Sequence, residues 1–168
     1  MDGTENQKEA VRSTIQRRKK LTGADFVTWE DCANVRFRET TKNNDNSAKL
    51  RITFKAVGDD NWYWSALGTK ALDRSKYPST KPTMRLAGLP DEFPPSELHR
   101  GNILHEFGHV LGLEHEHQSP SMDGYLKLKE RPIIDHYGGN EERARRQVID
   151  RVQDPTNYTR FDKKSVMV

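Results

Sequence analysis

His105-Glu106-Phe107-Gly108-His109-Val110-Leu111-Gly112-Leu113-Glu114-His115 is the stretch on which the reading of this chain turns. On an α-helix residues four apart share a face, so His105 and His109 can both point at one metal ion with Glu106 beside its open side. A ligand from position 115 reaches the same ion only if the chain turns sharply after His109. Gly112 is the residue that permits positive φ at a helix end. Three neutral imidazoles leave a fourth position for water, whose pKa zinc lowers to about 7. Glu106 would take that water's proton. The opposite face carries Ile103, Leu104, Phe107, Val110 and Leu111 at the spacing of a buried stripe, so one side packs while the other binds metal. One Zn2+ per chain is the expected cofactor.

His-Glu-x-x-His alone recurs by chance. With the glycine and third histidine at fixed offsets, coincidence falls to roughly one start position in ten million on ordinary residue usage. The whole pattern resembles the signature of the metzincin zinc endopeptidases, in which a methionine-containing turn follows later. Glu116, directly after the third histidine in Glu116-His117-Gln118-Ser119-Pro120, is similar to the astacin group, particularly its disulfide-free microbial members. Phe161-Asp162-Lys163-Lys164-Ser165-Val166-Met167 is similar to the segment that enters that group's methionine turn.

The resemblance implies an α+β, metzincin-like zincin fold: a twisted mixed sheet, an active-site helix and a small C-terminal subdomain. Residues 1–168 would form a single metalloprotease catalytic domain, with an upper subdomain to about residue 112, a lower one from about 113, and a cleft between. The implied activity is hydrolysis of internal peptide bonds in a peptide or protein substrate, with Glu106 as general base and then acid. Gly112, Glu116 and Met167 would support the site, Met167 from a tight turn under the imidazoles. The group also carries a tyrosine two residues after the methionine, followed by a helix. The sequence stops at Val168, so a truncated lower subdomain is expected. Loss of an oxyanion-stabilising contact of that type costs on the order of 10² to 10³ in rate. A zinc-binding but catalytically weak relative that captures peptides is therefore the alternative.

At 168 residues the chain fits one domain able to bury about 70% of its unfolded surface. Hydrophobic residues make up 33% and mean hydropathy is −0.97, which predicts a thin core stiffened by metal. The net charge of +3, from 28 basic against 25 acidic residues, predicts solubility more than a partner. Arg17-Arg18-Lys19-Lys20 has no stacking aromatics nearby, so a solvated helix end is expected rather than a nucleic-acid contact. The same holds for Arg143, Arg145 and Arg146. Cys32 is the single cysteine, which excludes an intramolecular disulfide and predicts a small apolar packing residue. No apolar run near Met1 resembles a signal peptide, and no segment is apolar enough to span a membrane. A monomer without membrane or nucleic-acid partners is expected, extracellular if a leader has been removed and cytoplasmic otherwise.

In chain order, Ala10, Val11 and Ile15 predict a first helix, and Phe26, Trp29, Glu30 and Ala33 a second. Asn34 to Arg38 and Lys49 to Lys55 alternate as half-buried strands, the first with Val35 and Phe37 inward, the second with Leu50, Ile52 and Phe54. Thr41 to Ser47 reads as a polar turn. Trp62 to Thr69 resembles a family loop that packs over the sheet. Its clustered aromatics could also form a carbohydrate platform, but wedging a thin core is the preferred reading. Pro82 and Gly88 bracket a strand whose leading proline suits a sheet edge. That edge is either a short protected one or a site of β-augmentation, and the resemblance favours the second, with Met84, Arg85 and Leu86 binding substrate. Ser96 can cap the active-site helix. His99, His117 and His136 lack ligand spacing. Glu141 to Val152 reads as an amphipathic helix through Ala144, Val148, Ile149 and Val152.

Overall fold

The computed structural model describes residues 1–17, 26–40, 48–58, 61–125, 127–152 and 157–168. Within it the chain divides into two compact units, Met1–Leu113 and Glu114–Val168.

In the first unit, helix α1 (Glu5–Ile15) starts at a capping box. The Thr4 hydroxyl accepts from the Gln7 amide at 3.2 Å, while Gln7 Oε1 accepts from the Thr4 amide at 3.1 Å. The expected Ala10, Val11 and Ile15 are its buried face. Helix α2 (Trp29–Cys32) is only four residues long, with the Asp31 carboxylate accepting from both the amide and the hydroxyl of Thr28. The longer helix expected here does not form. Glu30 is instead used as a buried acceptor, taking the Arg17 amide at 3.1 Å and the Phe37 amide at 2.8 Å. Cys32 is exposed, not packed.

Residues 34–38 keep the expected alternation, with Val35 and Phe37 half-buried and Arg36 and Arg38 exposed, yet they form no strand. The reason is where the main-chain groups go. The Phe37 amide donates to the Glu30 carboxylate and its carbonyl accepts from Gln16 Nε2 at 2.8 Å, so side chains take the place of a neighbouring strand. The basic residues 18–20, the second helix's approach before residue 26 and the expected turn at 41–47 lie outside the described residues.

The sheet is small and mixed, in the order β1-β3-β2. Strand β1 (Ile52–Thr53) pairs parallel with β3 (Met84–Leu86), and β2 (Tyr63–Ser65) pairs antiparallel with β3, Trp64 opposite Arg85. Two expectations are corrected here. The aromatic stretch after Asn61 is partly a strand, not a loop, and Met84–Leu86 is the central strand, not an edge. Both sides of β3 are occupied by β1 and β2, and Met84 and Leu86 are fully buried, so Met84, Arg85 and Leu86 offer no open ladder for a substrate strand. Pro82 is compatible with a central strand because it lies outside the ladder. The first donor used is the Thr83 amide, to the Arg51 carbonyl at 2.8 Å.

Helix α3 (Glu97–Val110) packs against α1 and β2. Ser96 caps it as expected, accepting from the His99 amide at 3.3 Å. Ile103 and Phe107 are buried from this helix against Val11, Phe54, Met84, Leu86 and Leu89. Phe37 meets the Phe107 ring edge-on, with centroids 5.1 Å apart. Phe107→Ala should therefore lower unfolding free energy by about 3–5 kcal/mol. Urea unfolding monitored by tryptophan fluorescence checks it, and a loss within about 0.5 kcal/mol, the scale of a surface substitution, would contradict this core.

The second unit holds short elements: α4 (Glu130–His136), then α5 (Glu141–Ala144), which runs into a π-helical turn at Arg145–Ile149. The long amphipathic helix expected over 141–152 is thus a turn of α-helix followed by a wider one. Arg145 is partly covered, bonding Glu141 at 2.8 Å and Glu130 at 3.0 Å. Met122, Ala144, Met167 and Gln118 are its buried residues. Among the described residues no helix is long and apolar enough to cross a membrane.

Candidate metal centre

Helix α3 sets the first two imidazoles. His105 and His109 lie one turn apart with ring centroids separated by 4.7 Å and planes at 87°. Past Val110 the helix closes with a Schellman pair: the Gly112 amide donates to the His109 carbonyl at 2.9 Å and the Leu113 amide to the Gly108 carbonyl at 3.0 Å. Gly112 has φ +94°, the sharp turn its place in the motif anticipates. A Cβ there would meet no atom within 4 Å. Gly112→Ala should therefore cost only backbone strain, about 1–2 kcal/mol. Thermal unfolding of the zinc-free variant tests this, and an unchanged midpoint would refute it.

Among the described residues, His105, His109 and His115 form the one group whose ligand atoms could hold a metal ion, with those atoms all within 4.8 Å of one another. Tetrahedral zinc with bonds of about 2.0–2.1 Å holds its ligand nitrogens about 3.3 Å apart, so the three are gathered on the scale of a single ion. Outer partners orient two of the rings. His109 Nδ1 lies 2.7 Å from the Leu113 carbonyl, which can only accept, so this nitrogen carries the proton and Nε2 is the basic one, as a metal ligand would need. His115 Nδ1 lies 3.0 Å from Gln118 Oε1. Sequence reasoning missed this role for Gln118, because nothing in its spacing distinguishes it.

Glu106 follows His105 on α3 and is 5% exposed, with Oε2 buried and making no hydrogen bond. Burial pushes its carboxyl pKa up to about 8, the direction desolvation imposes on any acid. A cation beside it would draw that value down. An orphaned carboxylate oxygen next in sequence to a histidine of the gathered triad is what a zinc site with a bound water would satisfy, so the residues present fit the ion.

The other singled-out residues fall as follows. Glu116 and Met167 are brought together within the second unit: the Glu116 amide donates to the Met167 carbonyl at 2.8 Å, and Glu116 Oε1 accepts from the Asp162 amide at 3.0 Å. Met167 is buried and sits in a turn closed by the Val168 amide on the Ser165 carbonyl. His99 lies outside the triad, 2.9 Å from the Tyr63 hydroxyl. That hydroxyl's pKa is raised to about 12, chiefly by burial. His117 stacks on His115 at 5.1 Å.

Residues 96–168 match the model of the Astacin peptidase family. Two solved structures of myroilysin are similar to this chain. One has a TM-score of 0.74 at 24% identity, covering 99% of this chain and 73% of that one. The other has a TM-score of 0.63 at 23% identity, covering 99% and 66% respectively. No curated protein matches the chain. The family match over residues 96–168 and the three gathered imidazoles on a mixed α+β frame point to a zinc-dependent metalloendopeptidase. Over residues 96–168 the chain is similar to the astacin peptidases.

Proposed function

We propose that this chain cleaves internal peptide bonds, with His105, His109 and His115 holding one zinc ion and Glu106 moving the proton. The observation that carries this reading is the buried, unbonded Oε2 of Glu106, one residue from a histidine of the gathered triad. Zinc, when bound, supplies a Lewis acid that polarises the scissile carbonyl and lowers the pKa of water. Glu106 Oε2 accepts a proton from the attacking water, and the same oxygen returns it to the departing amine, so the carboxylate ends each turnover unchanged. Gly112 directs the chain out of the helix, while Glu116 and Met167 brace the segment after His115. The two compact units act as one catalytic domain, and the chain works as a monomer on peptide or protein.

Substrate alignment is assigned to β2. It is a terminal strand of the three-stranded sheet and packs against α3, so an extended peptide could add to its outer edge through main-chain hydrogen bonds. Mass spectrometry of a peptide library incubated with the zinc-loaded chain tests the function. Internal cleavages that disappear with a chelator are expected. Intact peptides at every zinc concentration would refute it.

A further inference from the structure

Gln118 joins the third imidazole to a part of the chain some thirty residues away. It is 6% exposed and closes a short 3-10 turn, Glu116–Gln118, that begins from His115. In such a turn residues three apart eclipse, which brings the side chains of 115 and 118 to the same side. The Gln118 amide nitrogen donates to the Arg146 carbonyl at 3.0 Å and to the Asp150 carbonyl at 2.8 Å. Its main-chain carbonyl accepts from the Val152 amide at 3.0 Å. Because main-chain carbonyls only accept, the end of the side chain that faces them must be the NH2, and both its protons are used. The oxygen is thereby turned toward His115 Nδ1.

We propose that Gln118 is a positioning residue for zinc: it fixes the ring orientation and tautomer of His115, with the proton on Nδ1 and the lone pair on Nε2 for the metal. This rests on His115 being a zinc ligand, as argued above. The oxygen of Gln118 can only accept, so Nδ1 must donate, and an imidazole with its proton there presents Nε2 as its one basic nitrogen. The orientation is set within Glu114–Val168. The corresponding partner of His109 is a main-chain carbonyl, which no substitution removes, whereas Gln118 is a side chain and can be changed.

Two variants separate positioning from packing. Gln118→Leu removes both the acceptor for His115 and the donors to Arg146 and Asp150. Gln118→Glu removes the donors and keeps an acceptor, now a stronger, charged one. Both should lower the thermal midpoint of the zinc-free chain. Zinc affinity, measured by competition with a chromophoric chelator, should fall about 10- to 100-fold in Gln118→Leu, the usual cost of losing an outer-shell partner. The visible absorption of the cobalt-substituted protein should change with it. Gln118→Glu should bind zinc as tightly as the wild type or tighter. Equal weakening in both variants would mean that Gln118 serves packing alone and would overturn the proposal. Unchanged affinity in Gln118→Leu would overturn it too.

A measurement on the unaltered zinc-free chain covers the case in which neither variant folds. Long-range nitrogen–proton spectra should report the Nδ1–H tautomer for His115, and the Nε2–H tautomer would sink the idea. His115→Ala distinguishes the underlying reading. If it loses zinc while Gln118→Leu does not, only the role of Gln118 fails. If it keeps zinc, the ligand assignment fails and this inference with it.

Discussion

Glu106→Gln should retain one zinc per chain and lose peptide hydrolysis by roughly 10²- to 10⁴-fold, the contribution of a positioned general acid and base. The amide has the shape of the carboxylate but cannot take a proton from water, so substitution isolates proton transfer from metal binding. The site makes this a clean change. Glu106 is buried, and its Oε2 makes no hydrogen bond that an amide would break. Burial also raises the carboxyl's proton affinity, its pKa moving up to about 8, so the group is a better base than an exposed glutamate. Steady-state hydrolysis of a fluorogenic peptide, with zinc content measured on the same sample, checks both halves. Undiminished turnover would remove Glu106 from the chemistry, and loss of zinc would make it a structural residue of the centre.

The gathering of the three imidazoles was legible because its information is local. Helix α3, its Ser96 cap and the positive φ at Gly112 are set within twenty residues of sequence, and the stripe of Ile103 and Phe107 has helical period. What sequence could not supply was partner choice. Val35 and Phe37 alternate as a strand would, and their faces are correct, but the main chain is satisfied by Glu30 and Gln16. Met84–Leu86 reads as an edge because of Pro82, and only the pairing with both β1 and β2 puts it in the middle. The link from Gln118 to Arg146 and Asp150 spans 28 and 32 residues, beyond any periodic signal. Helix α4 was not expected from the sequence, and its Pro132 sits in the first helical turn, where proline is tolerated.

Replacing His105, His109 or His115 singly by alanine should abolish stoichiometric zinc binding. Each removal takes one of three gathered donors, and the main chain around them offers no nitrogen ligand in its place. The loss should exceed the 10- to 100-fold that an outer-shell partner contributes. Stability reports it independently of catalysis. A metal that binds only the folded chain stabilises it by about 4 kcal/mol when present at a thousand times its dissociation constant. For a chain of this size that corresponds to a gain of roughly 8–16 °C in thermal midpoint. The wild type should show this zinc-dependent rise and lose it on chelation, while the three alanine variants should melt at the same temperature with and without zinc. His99→Ala and His136→Ala serve as controls of the same residue type outside the triad, and both should keep the zinc-dependent rise. If any of the three triad variants retained it at full size, that imidazole would not be a ligand and the centre would have to be rebuilt around the remaining two.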